Sequence, residues 1–340
     1  MKIKSLGVAI ALAAVGAPAD AGAGQVLDAI KARGHLVCGT RGDTQGFARR
    51  DDKGRYAGLD VDMCRAVAAA IFGSADKVKF VPLDASQRFP ALQAGEVDML
   101  ASGTTYTLSR EATLGAEFVA IYYFDGQAFM VPRKLGKRSA RDLNGVSVCV
   151  QAGTTTAENV REYFRENRMS YKPVMFDKVD DLRAAFFDGR CDVFTADRSA
   201  VYATRAAYAA APNNYLILPE SASREPLALI VRQGDRSFAQ IVRWAFYSML
   251  TAEEYGVSSR NVDEMLKSDN DAVKRLLGVA PGVGKALGLD DRWTYSIVKQ
   301  VGNYGEVYDR NVGNQSPLKI PRGLNELASQ GGMQYAAPMR

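Results

Sequence analysis

The 340-residue chain has a single histidine, His35, and two tryptophans, and its four cysteines stand far apart at positions 38, 64, 149 and 191. A Ser/His/Asp or Cys/His catalytic pair would have to use that one histidine. It lies between Gly34 and an apolar run that reads as a strand, a structural or surface position. The cysteine spacing excludes a CxxC redox pair and offers no thiolate cluster for a metal. HExxH, GxSxG and GxxxxGKS/T are missing, and with them the signals of zinc peptidases, serine esterases and P-loop NTPases. No GxGxxG supports a dinucleotide cofactor, and Gly153-Thr154-Thr155 lacks the lysine that a phosphate loop requires. The 43 basic and 38 acidic residues are interspersed, so the formal charge of +5 forms no nucleic-acid footprint. No run after residue 23 is long and apolar enough to cross a membrane. No cofactor, metal or nucleic-acid partner is expected.

The amino terminus has the one informative hydrophobic run. Lys2 and Lys4 precede apolar residues Leu6 to Val15, followed by small residues through Ala23. That order is the pattern of a secretory signal peptide over residues 1–23, with several acceptable cleavage points between Ala17 and Ala23. No cysteine follows the apolar run, which argues against a lipid anchor. Export places the mature chain in an oxidising compartment, where an even number of cysteines permits disulfides. Three pairings are possible. Cys38 with Cys64 and Cys149 with Cys191 is favoured, because each pair then lies inside one proposed lobe.

Hydrophobic periodicity predicts a helix from Gln25 to Lys31, a strand from His35 to Gly39, and an irregular loop from Thr40 to Arg49. A turn at Asp51–Gly54 leads to a long helix, Leu59 to Phe72, then a strand at Val78–Val81, a short helix at Phe89–Gln93 and a strand at Val97–Leu100. Asp60 and Asp62 at the start of the long helix suit capping better than catalysis. A second unit repeats the cycle: strand Val146–Val150, a threonine-rich turn, a helix around Glu158–Arg165, strand Tyr171–Phe176, helix Asp180–Phe187 and strand Cys191–Thr195. A helix at Val201–Ala210, a strand at Tyr215–Leu218 and an apolar run at Leu227–Val231 complete it. This alternation indicates an α/β fold of two lobes. Beyond Arg232 the pattern is mainly helical, and Trp244, Phe246, Trp293 and Tyr295 need a core to cover them.

Open α/β folds place ligands at loops leaving the carboxyl ends of their strands. Three such loops are polar: Ser102-Gly103-Thr104-Thr105 with Arg110 beyond it, Gly153-Thr154-Thr155-Thr156, and Asp197 with Arg198 and Ser199. Arg110 can clamp a carboxylate with two parallel donors, helped by Thr105 and by backbone N–H groups near Gly103 and Thr155. Asp197 can accept an ammonium. Taken alone, each residue has an ordinary explanation: Arg110 as a surface charge, Asp197 as a helix cap.

The segments Arg33–Gly39, Gly58–Ala66, Phe89–Leu100, Gln151–Thr156, Gly189–Asp197 and Gln300–Glu306 together resemble the bacterial family 3 solute-binding proteins for polar amino acids. Within that family they are most similar to the general L-amino-acid-binding group of proteobacteria. The resemblance implies a periplasmic-binding-protein-like type II fold, with two α/β lobes joined by a two-crossing hinge and a mainly helical C-terminal extension. Lobe 1 is then expected at 24–131 plus 232–340 and lobe 2 at 132–231, with crossings near Met130–Arg133 and Leu229–Arg232. It also implies a periplasmic, monomeric binder that delivers L-amino acids to an inner-membrane ABC permease with a cytoplasmic ATPase. The family's carboxylate-binding arginine falls on Arg110. Thr105 supplies a hydroxyl and backbone contact, Thr155 the second-lobe contact, Asp197 the ammonium acceptor and Gly103 a backbone contact.

One loop departs from the family pattern. Narrow-specificity members often stack an aromatic on the ligand, and the matching position here is about Thr44. Phe47 falls on a structural aromatic position, while Arg41 and Asp43 add opposite charges beside the expected pocket. That combination permits broad or acidic and amide specificity. The competing readings are a periplasmic dehydratase or lyase on the same scaffold, and an amino-acid sensor module.

Overall fold

The structure is a computed structural model that describes residues 24–280 and 284–340; the expected export segment, residues 1–23, lies outside the described residues. Helix α1 (Gln25–Arg33) ends at Gly34, whose left-handed backbone returns its N–H to the carbonyls of Ile30 and Lys31. Strand β1 (Leu36–Thr40) is buried throughout. Where the sequence suggested only loop and turn, a small antiparallel ribbon forms from β2 (Asp43–Thr44), β3 (Ala48–Arg50) and β4 (Tyr56–Ala57). Gly58 joins the ribbon to α2 (Leu59–Phe72) at φ 138°, where any side chain would collide with the Phe47 carbonyl. Its absent Cβ lets α2 lie directly against the ribbon.

The first lobe continues through β5 (Val78–Pro82), α3 (Arg88–Gln93), β6 (Met99–Leu100), α4 (Leu108–Thr113) and the ten-residue β7 (Ala116–Asp125). The second lobe holds β8 (Gln127–Pro132), β9 (Ser147–Gln151), α5 (Thr155–Glu166), β10 (Lys172–Phe176), α6 (Val179–Phe187), β11 (Val193–Asp197), α7 (Arg198–Tyr208) and β12 (Tyr215–Ile217). The chain then returns through β13 (Glu225–Arg232). The two sheets are ordered β5-β1-β6-β13-β7 and β10-β9-β11-β8-β12. In each, three strands paired in parallel are followed by two antiparallel pairings. The repeated cycle in the sequence is this shared plan.

The strands change sheet earlier than the sequence reading placed them. All of β8 belongs to the second sheet and all of β13 to the first, so the crossings run through Gly126 and through residues 218–224. They do not run through Met130–Arg133 and Leu229–Arg232, which are paired mid-sheet residues. A side chain at Gly126 would collide with Ser221 in the returning crossing, so the two crossings touch at this glycine.

The remaining helices are α8 (Arg236–Glu254), α9 (Val262–Met265), α10 (Asp271–Leu276), α11 (Trp293–Gln300) and α12 (Tyr304–Asn311). They extend the first lobe's core: Met63 and Val67 of α2 share one buried cluster with Phe246, Met249, Trp293 and Tyr308. Of the aromatics expected to need cover, Phe246 and Trp293 are buried, while Trp244 and Tyr295 are partly buried. The tail also braces β7. The Tyr304 hydroxyl donates to the Tyr122 carbonyl at 2.8 Å, and the Asn325 carboxamide pairs with both backbone groups of Phe124, at 2.7 and 3.0 Å.

Both disulfides form within a lobe, Cys38–Cys64 tying β1 to α2 and Cys149–Cys191 tying β9 to the approach to β11. They close loops spanning 26 and 42 residues. Loops of that size restrict the unfolded chain by about 3–4 kcal/mol each. Non-reducing peptide mapping should recover these two pairs and no link between lobes. Reduction should lower the denaturation midpoint; an unchanged midpoint would remove them from the stability of the fold.

Candidate ligand-binding cleft

Loops leaving the carboxyl ends of β1, β6, β9 and β11 meet between the lobes and line one cavity, bringing together Arg41, Gly103, Thr105, Thr155 and Asp197. The lobes touch at two depths. Deep in the cleft the Thr105 and Thr155 hydroxyl oxygens are 3.4 Å apart. At its mouth the Tyr208 hydroxyl, on α7, donates to the Asp43 carbonyl at 3.0 Å.

Asp197 stands at the N-cap position of α7, yet its side chain makes no capping hydrogen bond. The carboxylate turns to the cavity instead. Burial pushes its pKa well above the usual carboxylate range, and the neighbouring carboxylates Glu225 and Asp125 push the same way. Arg41 and Arg88 oppose them. An acid held this way gains most from a cation.

Arg41 donates to Asp43 at 3.2 Å. Burial works against its charge, but Asp43, Asp197 and Asp60 together raise its pKa. Arg88 is the residue the sequence reading missed. It begins α3, is only 4% exposed, lines the cavity, and its Nε has no hydrogen-bond partner. Burial depresses its pKa to about 9, and Arg110 and Arg41 add to the effect. A basic residue at a helix N-terminus also opposes the helix dipole, which was the available signal in the sequence.

Arg110 is not among the cavity-lining residues. Its guanidinium donates to the Thr105 carbonyl at 2.8 Å and lies 5.8 Å from the Phe89 ring centre, beside the cavity wall. Burial lowers its pKa, and Glu225, Asp197 and Glu158 oppose the shift. Ser102 and Thr44 are likewise outside the lining. Ser102 is buried against the Thr104 hydroxyl at 2.9 Å, and the Thr44 hydroxyl donates to Asp43 at 2.7 Å.

The backbone donors divide unequally. The Gly103 N–H is taken by the Tyr122 hydroxyl at 3.2 Å, whose own proton goes to buried Asp60. Gly103 therefore does not offer the cavity the free donor expected from the sequence. The start of α5 keeps its N–H groups: Thr154 makes no side-chain cap, its hydroxyl donating back to the Gln151 carbonyl at 2.7 Å. Thr154, Thr155 and Thr156 all line the cavity, so a helix N-terminus with unpaired donors faces it. Arginines, a helix N-terminus and an unpaired carboxylate around one small cavity suit a ligand carrying charges of both signs. Among the described residues no group of three metal-ligating side chains gathers, and no helix is long and apolar enough to cross a membrane.

Residues 36–261 match the bacterial extracellular solute-binding proteins, family 3. The chain is 46% identical to the general L-amino acid-binding periplasmic protein AapJ of Rhizobium johnstonii over 342 residues, covering 100% of both chains. It is 43% identical to the glutamate/glutamine/aspartate/asparagine-binding protein BztA of Rhodobacter capsulatus, again covering 100% of both. A solved periplasmic binding protein of an ABC transporter from Brucella ovis, with glutathione bound, is 52% identical and superposes with a TM-score of 0.91, covering 92% of this chain and 99% of that one. The two hinged α/β lobes, the cleft between them and these full-length likenesses place the chain in family 3 of the bacterial extracellular solute-binding proteins.

Proposed function

We propose that this protein is the periplasmic substrate-binding component of an ABC importer for L-amino acids. It works as a monomer, exported by its N-terminal signal, and releases its ligand unaltered to an inner-membrane permease driven by a cytoplasmic ATPase. The observation that carries the reading is the pairing of an unpartnered, half-buried carboxylate, Asp197, with arginines and the α5 N-terminus around a single interlobe cavity. An α-amino acid presents an ammonium and a carboxylate a few ångströms apart, and each needs an opposite charge once water is excluded. Asp197 takes the ammonium. Arg110 and the N–H groups of Thr155 and Thr156 take the α-carboxylate, Arg110 swinging in from the cavity wall.

Arg41 and Arg88 then face the ligand's side chain. Two cations there favour acidic or amide side chains, in keeping with the ligands named for the Rhodobacter relative. The Brucella relative's glutathione fits the same logic: its γ-glutamyl end is a free α-amino acid whose side chain continues into the peptide. Ligand contacts on both lobes stabilise the closed form, which is what the permease reads.

Calorimetric titration of refolded, ligand-free protein tests the reading, with a panel of L- and D-amino acids, decarboxylated amines and γ-glutamyl peptides. Refolding removes any ligand retained through purification. Tight binding confined to intact L-amino acid ends is the expected result. Sustained product formation, or no binding to any member of the panel, overturns it.

A further inference from the structure

We infer that Glu225 fixes the polarity of the threonine pair in the cleft, turning Thr105 and Thr155 into acceptors for the ligand's ammonium instead of donors to its carboxylate; the inference rests on the amino-acid reading above. Glu225 opens β13, where the chain re-enters the first lobe, and is only 2% exposed. Its carboxylate is surrounded by neutral donors from both lobes. Oε2 accepts from the hydroxyls of Thr105 and, at 3.0 Å, Thr155. Oε1 accepts from Asn159 Nδ2 at 2.5 Å and from Ser223 Oγ at 2.5 Å.

A carboxylate only accepts, and a threonine hydroxyl has one proton. Both threonines must therefore spend that proton on Glu225. Thr105 and Thr155 line the cavity, whereas Glu225, Asn159 and Ser223 do not. The two protons thus point behind the wall, and the lone pairs of both oxygens remain for the cavity. Oxygens 3.4 Å apart can share one ammonium. With Asp197 they give three acceptors for its three N–H donors.

A ligand carboxylate at the same place would meet only lone pairs. It is left to Arg110 and the start of α5, which have no competing acceptor role. Glu225 has four hydrogen bonds holding it in place, and Thr105 comes from the first lobe while Thr155 and Asn159 come from the second. The acceptor pair is consequently complete only when the lobes are closed.

The test compares L-glutamate with glutarate, which has the same two carboxylates and no ammonium, by calorimetry with glutarate followed as a displacer to millimolar concentration. In Glu225→Leu no acceptor is left behind the wall, so both threonine protons are free to turn toward the cavity. Losing a hydrogen bond to a charged group weakens binding by about tenfold or more. Glu225→Leu should lose at least that factor for L-glutamate while changing glutarate by less than about threefold, so the preference between the two collapses. Equal weakening of both ligands would make Glu225 a structural pin and overturn the inference, as would unchanged L-glutamate binding. If Glu225→Leu does not fold, Thr105→Val and Thr155→Val carry the same expectation, and Thr155→Ser should keep the preference. Wild-type protein that binds no L-glutamate removes the amino-acid reading and this inference with it. Wild-type binding with the preference intact in the variants removes this inference alone.

Discussion

Replacing Asp197 with alanine should weaken every L-amino acid ligand by at least about thirtyfold, whatever its side chain. Truncating one partner of a buried, hydrogen-bonded charge pair costs about 2–5 kcal/mol, and the lower end of that range is about thirtyfold in Kd. The structure sharpens the expectation in two ways. Asp197 has no cap or protein hydrogen bond to fall back on, so its carboxylate is held for the ligand. Its pKa lies well above the ordinary range because it is half-buried beside Glu225 and Asp125. A carboxyl whose pKa is raised on folding contributes stability that is complete below the unfolded value of 3.8 and is lost as pH rises through the folded value. An ammonium reverses this by favouring the ionised form. Binding below that elevated pKa should release a proton, and affinity should rise with pH until Asp197 is ionised in the ligand-free protein. Calorimetry in buffers of different ionisation heat reads the released proton. Asp197→Asn should weaken binding and abolish the release. A folded Asp197→Ala protein that keeps its affinity would remove the ammonium site and with it the charge-matching account of the cleft.

The sequence showed most of the site because of where its residues sit. Gly103, Thr105, Thr155, Asp197 and Arg41 each follow a strand that punctuation by glycine and polar residues made visible, and strand ends converge in an open α/β fold. Arg88 escaped because it precedes an apolar helix and was counted as a boundary, not as a side chain. Glu225 escaped for a similar reason: the apolar run Leu227–Val231 was legible as a strand, and the acid two residues ahead of it carried no pattern of its own. The region 101–131 was read without elements, although it holds α4, β7 and β8. In β7 and β8 the only break between two long apolar strands is Asp125-Gly126, and a lone glycine does not announce that the chain has changed sheets. The misplaced crossings follow from the same ambiguity. Apolar runs mark buried strands, not which sheet they join. Thr44 was assigned to the pocket because it matches the family's stacking-aromatic position, but its loop folds into a ribbon that turns its hydroxyl onto Asp43.

Arg88 is the residue for which the structure makes the strongest claim that the sequence did not. Replacing it with methionine should lower affinity for L-glutamate by about thirtyfold or more, on the same 2–5 kcal/mol scale for a buried charge pair, and leave L-serine within about threefold. Arg110→Ala should instead weaken both, since it serves the α-carboxylate that both ligands carry. The physical reason lies in the charges around the cleft. Arg88 is buried, its Nε is unpartnered, and Arg110 and Arg41 reinforce the burial that depresses its pKa to about 9. Its charge is therefore costly until an anion arrives, and an unsatisfied buried polar group costs about 1–3 kcal/mol, more when charged. Methionine fills similar volume without that charge. The variant should consequently unfold at a higher temperature than the parent when ligand-free, while binding acidic ligand worse. Opposite signs in the two measurements distinguish a residue held in strain for its ligand from one that merely packs the wall. A variant that loses L-glutamate and L-serine equally, or that is less stable without ligand, would show that Arg88 supports the fold and does not read the side chain.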